Sequence, residues 1–496
     1  MKRYDLLVIG GGVNGSGIAR DAAGRGLSVC LAECGDIGGA TSSASTKLIH
    51  GGLRYLEHYE FGLVRKALKE REVILRNAPH ITWPQRFVLP HDEGVRPAWM
   101  IRAGLFLYDH LARRKRVPGS GSVNLKTDPA GQGLAPRLTR GFTYWDGWVQ
   151  DNRLVVLNLV DAKERGADIR TRTRAVTARE ADGAWQVTLR DEETGGEDTV
   201  SAGAVVNAAG PWAEAVARGV FGRNDARAPR LVQGSHIVTR RLFAHDDAYM
   251  FQNEDGRIIF ALPYEQDFTL IGTTDRNFEG EPREVSISQE ETDYLLDAVN
   301  RCLAEPVSRQ DIAWTYSGVR PLYGAEAEEA AKLSRDYELD LVTAAPPLLD
   351  ILGGKLTTYR VLALEALEKL EPHLPPMAPE WTHEAPLPGG DFADFEDALL
   401  AFRKDRPWLP EAIARRYLRD YGTRAARITK GAVSLSDLGR DFGSGIHEAE
   451  LRYVRDHEFA RSGADFLWRR SKRGLHSDEA TRAAVTEWFS RETIPA

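Results

Sequence analysis

Cysteine is nearly absent from this chain: three in 496 residues, Cys30, Cys34 and Cys302. An odd, sparse set is no disulfide framework and suits a reducing compartment. Cys30 and Cys34 are four apart with no second pair or clustered histidine, so no metal site is expected. Excess positive charge is also missing. The formal net charge is -7 and the pI about 6.0, which argues against nucleic acid as a partner. No run of 18 or more apolar residues offers a transmembrane helix. The chain starts Met1-Lys2-Arg3-Tyr4-Asp5 and goes directly into a strand pattern, so no secretory leader is expected. Internal repeats and low-complexity tracts are lacking too. What remains is a long globular chain, 42% hydrophobic, with room for two or three domains and a large core.

Leu6-Leu7-Val8-Ile9 reads as a buried parallel strand and runs into Gly10-Gly11-Gly12-Val13-Asn14-Gly15. Gly10, Gly12 and Gly15 form G-x-G-x-x-G, and a helical stretch of small residues follows until Gly24–Gly26. A second strand from Leu27 ends at Glu33. Glycines there allow a tight turn and close backbone approach to a pyrophosphate, and the helix N-terminus offers that anion free N–H groups. Glu33, 18 positions after Gly15, suits ribose hydroxyls. Gly10, Gly12, Asn14, Gly15 and Glu33 are therefore candidate dinucleotide contacts.

The residues after Glu33 favour FAD over a nicotinamide cofactor. A long loop of small and hydroxyl residues, through Thr41, Ser42, Ser43 and Ser45 to Lys47 and His50, could wrap an extended cofactor, whereas a nicotinamide-type fold continues into another βα unit. Ala204–Trp212 reads as a strand that stops at Gly210, beside the adenine half. Leu348–Leu352 reads as a further strand, followed by Gly353, Gly354, Lys355, Leu356 and Thr357 and then a helix. A glycine-led helix N-terminus aimed at the flavin would stabilise negative charge on its reduced ring. No second G-x-G-x-x-G occurs, so no separate NADPH domain is expected.

Ala40–Leu56 (Ala-Thr-Ser-Ser-Ala-Ser-Thr-Lys-Leu-Ile-His-Gly-Gly-Leu-Arg-Tyr-Leu) resembles the signature of FAD-dependent glycerol-3-phosphate dehydrogenases of the aerobic bacterial and mitochondrial type. So do Arg96–Met100, Gly234–His236, Ile271–Asp275, Tyr316–Leu322, Gly353–Arg360, Ser436–Gly439, Glu448–Leu451 and Leu467–Arg470. The resemblance spans nearly the whole chain. It implies an α/β plus α flavoenzyme: a Rossmann-like FAD domain of the D-amino-acid-oxidase type, an interleaved β-rich substrate cap and a helical C-terminal domain. It implies hydride transfer from sn-glycerol 3-phosphate to FAD, giving dihydroxyacetone phosphate, and reoxidation by membrane quinone. An oxygen-using glycerol-3-phosphate oxidase, a 2-hydroxy-acid or amine oxidase of the same fold, and a flavin-binding scaffold without turnover stay as alternatives.

On this reading residues 1–385 hold the FAD domain and its cap, the cap lying mainly in 60–145 and 216–340. A proline-rich linker (Pro372, Pro375, Pro376, Pro379, Pro386, Pro388) with Gly389-Gly390 precedes an all-helical domain at 391–496.

A phosphate dianion needs clustered cations, and Arg54, Arg320, Arg335 and Lys355 match the family's motifs. Tyr55 and Thr274 are expected as hydrogen-bond donors to substrate. The hydroxyl proton needs an acceptor, and His236 is the first choice because imidazole titrates near neutrality. Arg320, too weak a base, is expected to stabilise the developing alkoxide.

Trp99-Met100-Ile101, Leu105-Phe106-Leu107-Tyr108 and Leu111, followed by Arg113-Arg114-Lys115-Arg116, read as an interfacial helix beside anionic lipid, or equally as a core helix with a charged end. The expected partners are glycerol 3-phosphate and a quinone, with peripheral contact to the inner face of the cytoplasmic membrane from the cytoplasm, and with a homodimer admitted.

Overall fold

A computed structural model describes residues 1–92, 96–253, 255–323 and 336–492. The continuous apolar run at Leu6–Ile9 forms the second half of the strand Lys2–Ile9, covered on both faces. It pairs in parallel with Val29–Glu33 on one side and Glu197–Asn207 on the other. Leu348–Gly353 and Asp168–Thr171 extend this parallel layer, and three antiparallel strands complete an eight-stranded sheet. The helices Val13–Gly24, Asp151–Glu164 and Tyr359–Leu370 pack on one face, and their small and branched residues form one core with Leu6, Val8 and Val206. Burial on both faces is what parallel strands require, and it explains why these strands carry no polar alternation.

A second sheet of ten strands is built from segments inserted between strands of the first. Thr82–Pro90 and Arg140–Val149 come from the earlier insert, and Arg230–Arg240, Ile258–Tyr264, Phe268–Gly272 and Ile312–Leu322 from the later one. The strand Arg230–Arg240 lies between Phe268–Gly272 and Ile312–Leu322, which places His236 opposite both Gly272 and Tyr316.

The chain after the proline-rich segment forms its own core around Leu418, Tyr421, Leu451, Val454 and Phe466. It is helical apart from a hairpin of Asp441–Gly443 with Ile446–His447. Buried ion pairs join it to the first sheet's layer. Asp36 meets Arg470 at 2.7 Å, and Arg153 forks onto Glu458.

Candidate active site

The glycine turn after the first strand has the close approaches that its sequence requires. A side chain at Gly10 (φ +108°) would stand 2.5 Å from the Ala208 carbonyl, and one at Gly15 would stand 2.0 Å from the carbonyl of Gly10. The helix Val13–Gly24 begins at Gly12 with no side-chain cap from that residue and no acid in its first turn. The Ser42 hydroxyl accepts from Val13 N–H at 3.0 Å. Glu33 accepts from the amides of Gly11 and Gly35, each at 2.7 Å, so one carboxylate closes the turn at the strand ends. The Asn14 amide donates to the Gly353 carbonyl, while its buried Oδ1 has no partner among the described residues. Gly210 also has positive φ and open space around it. A helix start with no cap from Gly12 and no acid in its first turn, an acid at the end of the next strand and a buried amide oxygen facing the second glycine turn fit an extended dinucleotide such as FAD.

The serine-rich loop lies along the strand Ile312–Leu322. The Thr41 hydroxyl donates to the Val319 carbonyl at 2.6 Å, and Tyr316 donates to the Ser45 carbonyl at 2.8 Å. Several expected cofactor contacts turn inward. Ser43 donates to Ala40, and Ser45 donates to Asp151 at 2.8 Å. Lys47 is 1% exposed and spends its ammonium on Asp151 (2.6 Å) and the Ser43 carbonyl (2.7 Å). It is a buried ion pair that shapes the loop and not a cofactor ligand. Thr357 exchanges hydrogen bonds with the backbone of His50 (3.2 and 3.4 Å), joining the loop to the turn before the helix Tyr359–Leu370. Leu356 packs on the first core. Gly354 has φ +106°, and a side chain there would stand 2.9 Å from the Asn14 amide.

Two cationic arrangements face this cradle. Arg320 donates to Asp275 at 2.7 Å and to the Thr273 hydroxyl at 3.2 Å. Its guanidinium occupies the space that a side chain at Gly234 would need, 2.4 Å away. Lys355 places its ammonium 3.8 Å from the centre of the Tyr55 ring, and that ring covers Gly52 on the left-handed turn before Leu53–His58. Arg54 is half-buried on the same turn. The backbones that carry them approach each other, since a side chain at Gly353 would lie 3.9 Å from the Pro321 carbonyl. Arg335 lies outside the described residues.

Two further expectations are corrected. Thr274 is buried, donates to Glu291 at 2.6 Å and accepts from the Ser235 amide at 3.0 Å, so its hydroxyl works beneath the sheet and not towards a substrate. His236 is fully buried. Its ring stacks on Tyr316 (4.7 Å between centres, 16° between planes) and its Nε2 lies 3.0 Å from the Thr46 hydroxyl. A side chain at Gly272 would collide with its Cδ2 at 2.2 Å. Burial, then the charges of Lys47 and Arg320, push the imidazole pKa well below its usual value. In this structure the neutral ring packs behind Arg320 and Thr46, sealed from solvent, with its buried Nδ1 unpartnered among the described residues. Sequence reasoning missed the partners that aim Arg320: Thr273, Asp275 and the bare backbone of Gly234. The glycine at 234, beside a residue type valued for its side chain, was the available signal.

The comparisons agree with this geometry. Residues 5–342 match the family model described as FAD dependent oxidoreductase, and 380–490 match the C-terminal domain of alpha-glycerophosphate oxidase. The chain is 50% identical over 495 residues to D-erythritol 1-phosphate dehydrogenase of Brucella abortus, covering 99% of both chains. It is 48% identical over 496 residues to the aerobic glycerol-3-phosphate dehydrogenase of Escherichia coli, covering 99% of this chain and 98% of that one. A crystal structure of the Bacillus halodurans glycerol-3-phosphate dehydrogenase complexed with FAD superposes with a TM-score of 0.78 at 26% identity, over 99% of this chain and 91% of that one. This chain belongs to the FAD-dependent glycerol-3-phosphate dehydrogenase family of flavoenzymes.

Proposed function

We infer that the chain oxidises the secondary alcohol of sn-glycerol 3-phosphate to the ketone of dihydroxyacetone phosphate. The observation that carries this reading is two placed cations beside the glycine-rich cradle: Arg320, on the strand Ile312–Leu322 and held by Asp275, and Lys355, after the Gly353-Gly354 turn and held over Tyr55. FAD, when bound, accepts the hydride. Lys355 and Arg54 then hold the phosphate, Lys as a point charge and Arg through paired donors. Arg320 steadies the alcohol oxygen as its proton leaves, and Asp275 in the same ion pair takes that proton. Placement of the C–H bond by these fixed groups supplies much of the rate. Anaerobic addition of glycerol 3-phosphate to the yellow protein should bleach the flavin band within seconds, and absence of bleaching would refute the reading.

A second substrate has support from the comparisons, because a relative of equal coverage is named for D-erythritol 1-phosphate. Both compounds present a phosphate on a polyol. The ratio of kcat/KM for the two decides between them.

Electrons pass on to a membrane quinone. The helix Ala98–His110 buries Ile101, Leu105 and Tyr108 yet turns Trp99 (70% exposed), Phe106 (61%), Met100 and Leu107 outward, so it is apolar on two faces. Exposed Arg102, Arg113, Lys115 and Arg116 accompany that outer face. An apolar outer surface with nearby cations fits the interface of an anionic bilayer. Among the described residues no helix is long and apolar enough to cross a membrane. Vesicles containing anionic lipid should sediment the protein at low salt, and full recovery in the supernatant would count against attachment. Oxygen consumption without added quinone would favour the oxidase alternative.

A further inference from the structure

A narrow polar cavity lies where three parts of the chain meet. Lys47 and the segment Trp148–Arg153 form one wall, Tyr264 and Glu265 at the tip of a hairpin form another, and Asp420 with Arg469–Lys472 of the C-terminal domain close it. It has room for about one or two water molecules. Five buried polar atoms on its lining residues have no hydrogen-bond partner among the described residues: Trp148 Nε1, Gln150 Oε1, Asn152 Oδ1, Arg153 Nε and Tyr264 OH. A buried polar group left unpaired costs about 1–3 kcal/mol. Five such atoms on the residues that line one small space favour a polar occupant.

The cavity adjoins the loop that cradles the cofactor. Lys47 reaches Asp151 and the Ser43 carbonyl, and its ammonium lies 4.6 Å from the centre of the Tyr316 ring. From the C-terminal domain, Trp468 stacks on Trp314 (5.0 Å, 24°), and Trp314 packs on Tyr316 (5.0 Å). Lys472, at positive φ, donates to the Trp468 carbonyl and holds its ammonium 5.5 Å from the Trp314 ring.

We propose that this cavity binds ordered water that joins Lys472 and Glu265 to the Lys47–Asp151 ion pair in one hydrogen-bonded cluster, and that through it the C-terminal domain sets the charge and order of the cofactor-binding loop. Lys472 is the positioning residue of this arrangement. The inference concerns the role of the C-terminal domain and does not depend on which polyol phosphate is oxidised.

The charges around the cluster leave few groups free to respond. Arg470 and Arg469 are committed to Asp36, with Arg469 also on Asp465, and Arg153 is committed to Glu458. Arg416 is held by Glu450, and Asp420 receives Gln150 and Arg416 at 3.4 and 3.5 Å. Arg473 stands beside Lys472 and adds positive charge. Burial, then Lys47, lowers Lys472 to about 7, whereas burial, then Asp420, raises Glu265 to about 7. Burial also raises Asp420 to about 6. Both shifts run towards the uncharged forms, and the two groups line the same cavity.

The test is hydrogen exchange by mass spectrometry on the full-length, FAD-loaded protein between about pH 6 and 8, comparing wild type with Lys472→Met and Glu265→Gln. In wild type, protection of the peptide covering residues 41–50 should change through a step near neutral pH, at a slope of up to about tenfold per pH unit, the limit for one proton. Each variant should lose that step or move it by a pH unit or more. A step that stays at the same pH in a folded variant, or a flat wild-type profile, overturns the proposal. Glu265→Gln lies on a hairpin turn and serves if Lys472→Met fails to fold. In the FAD-loaded enzyme the same variants should shift the pH profile of flavin reduction, and superimposable profiles would also overturn it.

Discussion

Gly234→Ala is the sharpest perturbation the site offers, because it moves one functional group and leaves its chemistry in place. Gly234 sits inside the strand Arg230–Arg240, opposite Gly318, with a backbone that alanine adopts without strain. The new methyl would lie 2.4 Å from one guanidinium nitrogen of Arg320 and 2.8 Å from its carbon. Ordinary van der Waals separation is about 3.5 Å, so the guanidinium must retreat by roughly 1 Å. That retreat strains the 2.7 Å bond to Asp275 and the 3.2 Å bond to Thr273 that aim it. A hydrogen bond to a charged group contributes about 1.5–3 kcal/mol. At ~1.4 kcal/mol per decade, loss of Arg320's aim should slow flavin reduction about 10- to 150-fold. The displaced atoms are the far end of a flexible, part-exposed side chain, so thermal stability and FAD content should barely change. Stopped-flow reduction under anaerobic conditions, read beside the melting temperature and flavin-to-protein ratio, measures all three. A reduction rate within twofold of wild type would refute the assignment of Arg320. A large fall in melting temperature would refute the claim that the methyl meets only a flexible end.

Three further outcomes follow from the same geometry. Lys355→Met should raise the substrate dissociation constant in the reductive half-reaction tenfold or more while the limiting rate changes less; an unchanged constant would remove Lys355 from the phosphate site. His236→Gln should leave the shape of the pH–rate profile intact, and loss of its acidic limb would restore His236 as the base. Because the folded-state pKa of His236 is depressed, the folded protein binds fewer protons there than the unfolded chain; its contribution is present above about pH 6.5 and is lost as pH falls, so the variant's melting temperature should decline less steeply with acid. Asp36→Asn should cost about 3–5 kcal/mol, since Arg470 would be left buried without its counter-charge, and denaturant unfolding should show it; a loss under 1 kcal/mol would mean that this ion pair is dispensable.

The sequence made the cofactor end of the molecule legible and the catalytic end only partly so. Gly10, Gly15 and Glu33 act within a stretch of about 25 residues, so their spacing alone carries the geometry. Lys47 defeated that logic, because its partner Asp151 stands 104 positions away and only the assembled fold brings them together. A buried lysine and a cofactor-binding lysine look alike in a serine-rich motif. His236 failed for a different reason. The strand Arg230–Arg240 is buried on both faces, so alternation could not say which side chains look towards a ligand. Thr274 was misread similarly, since its acceptor Glu291 belongs to the helix Gln289–Asn300, which carried no functional signal. Arg320 and Lys355 were recognisable because glycine and little other charge stand near them in the sequence, although Arg320 lies within the strand Ile312–Leu322 and not in a turn.

The order of segments explains why the site is where it is. In a parallel sheet the carboxyl ends of the strands open onto one edge, and ligands collect there. Gly10 after Ile9, Glu33 at the end of its strand, Ala208 after Asn207 and Gly354 after Gly353 all lie at that edge. The second sheet is inserted after Val29–Glu33 and after Glu197–Asn207, so each excursion begins at the same edge. The strand that carries Arg320 is thereby set against the loop that begins at Thr41, with Gly318 so close that a side chain there would lie 2.6 Å from Ala44 Cβ. The C-terminal domain is then held against the far side of that loop by Asp36, Arg153 and Glu458, all buried and all paired across the interface. A surface that only tethered two independent units would not need to bury these four ionic groups, Arg470 included, at the cost of desolvating each. Their burial is explained if the relative position of the two parts matters to the loop between them, and the exchange behaviour of residues 41–50 is where that dependence should be read.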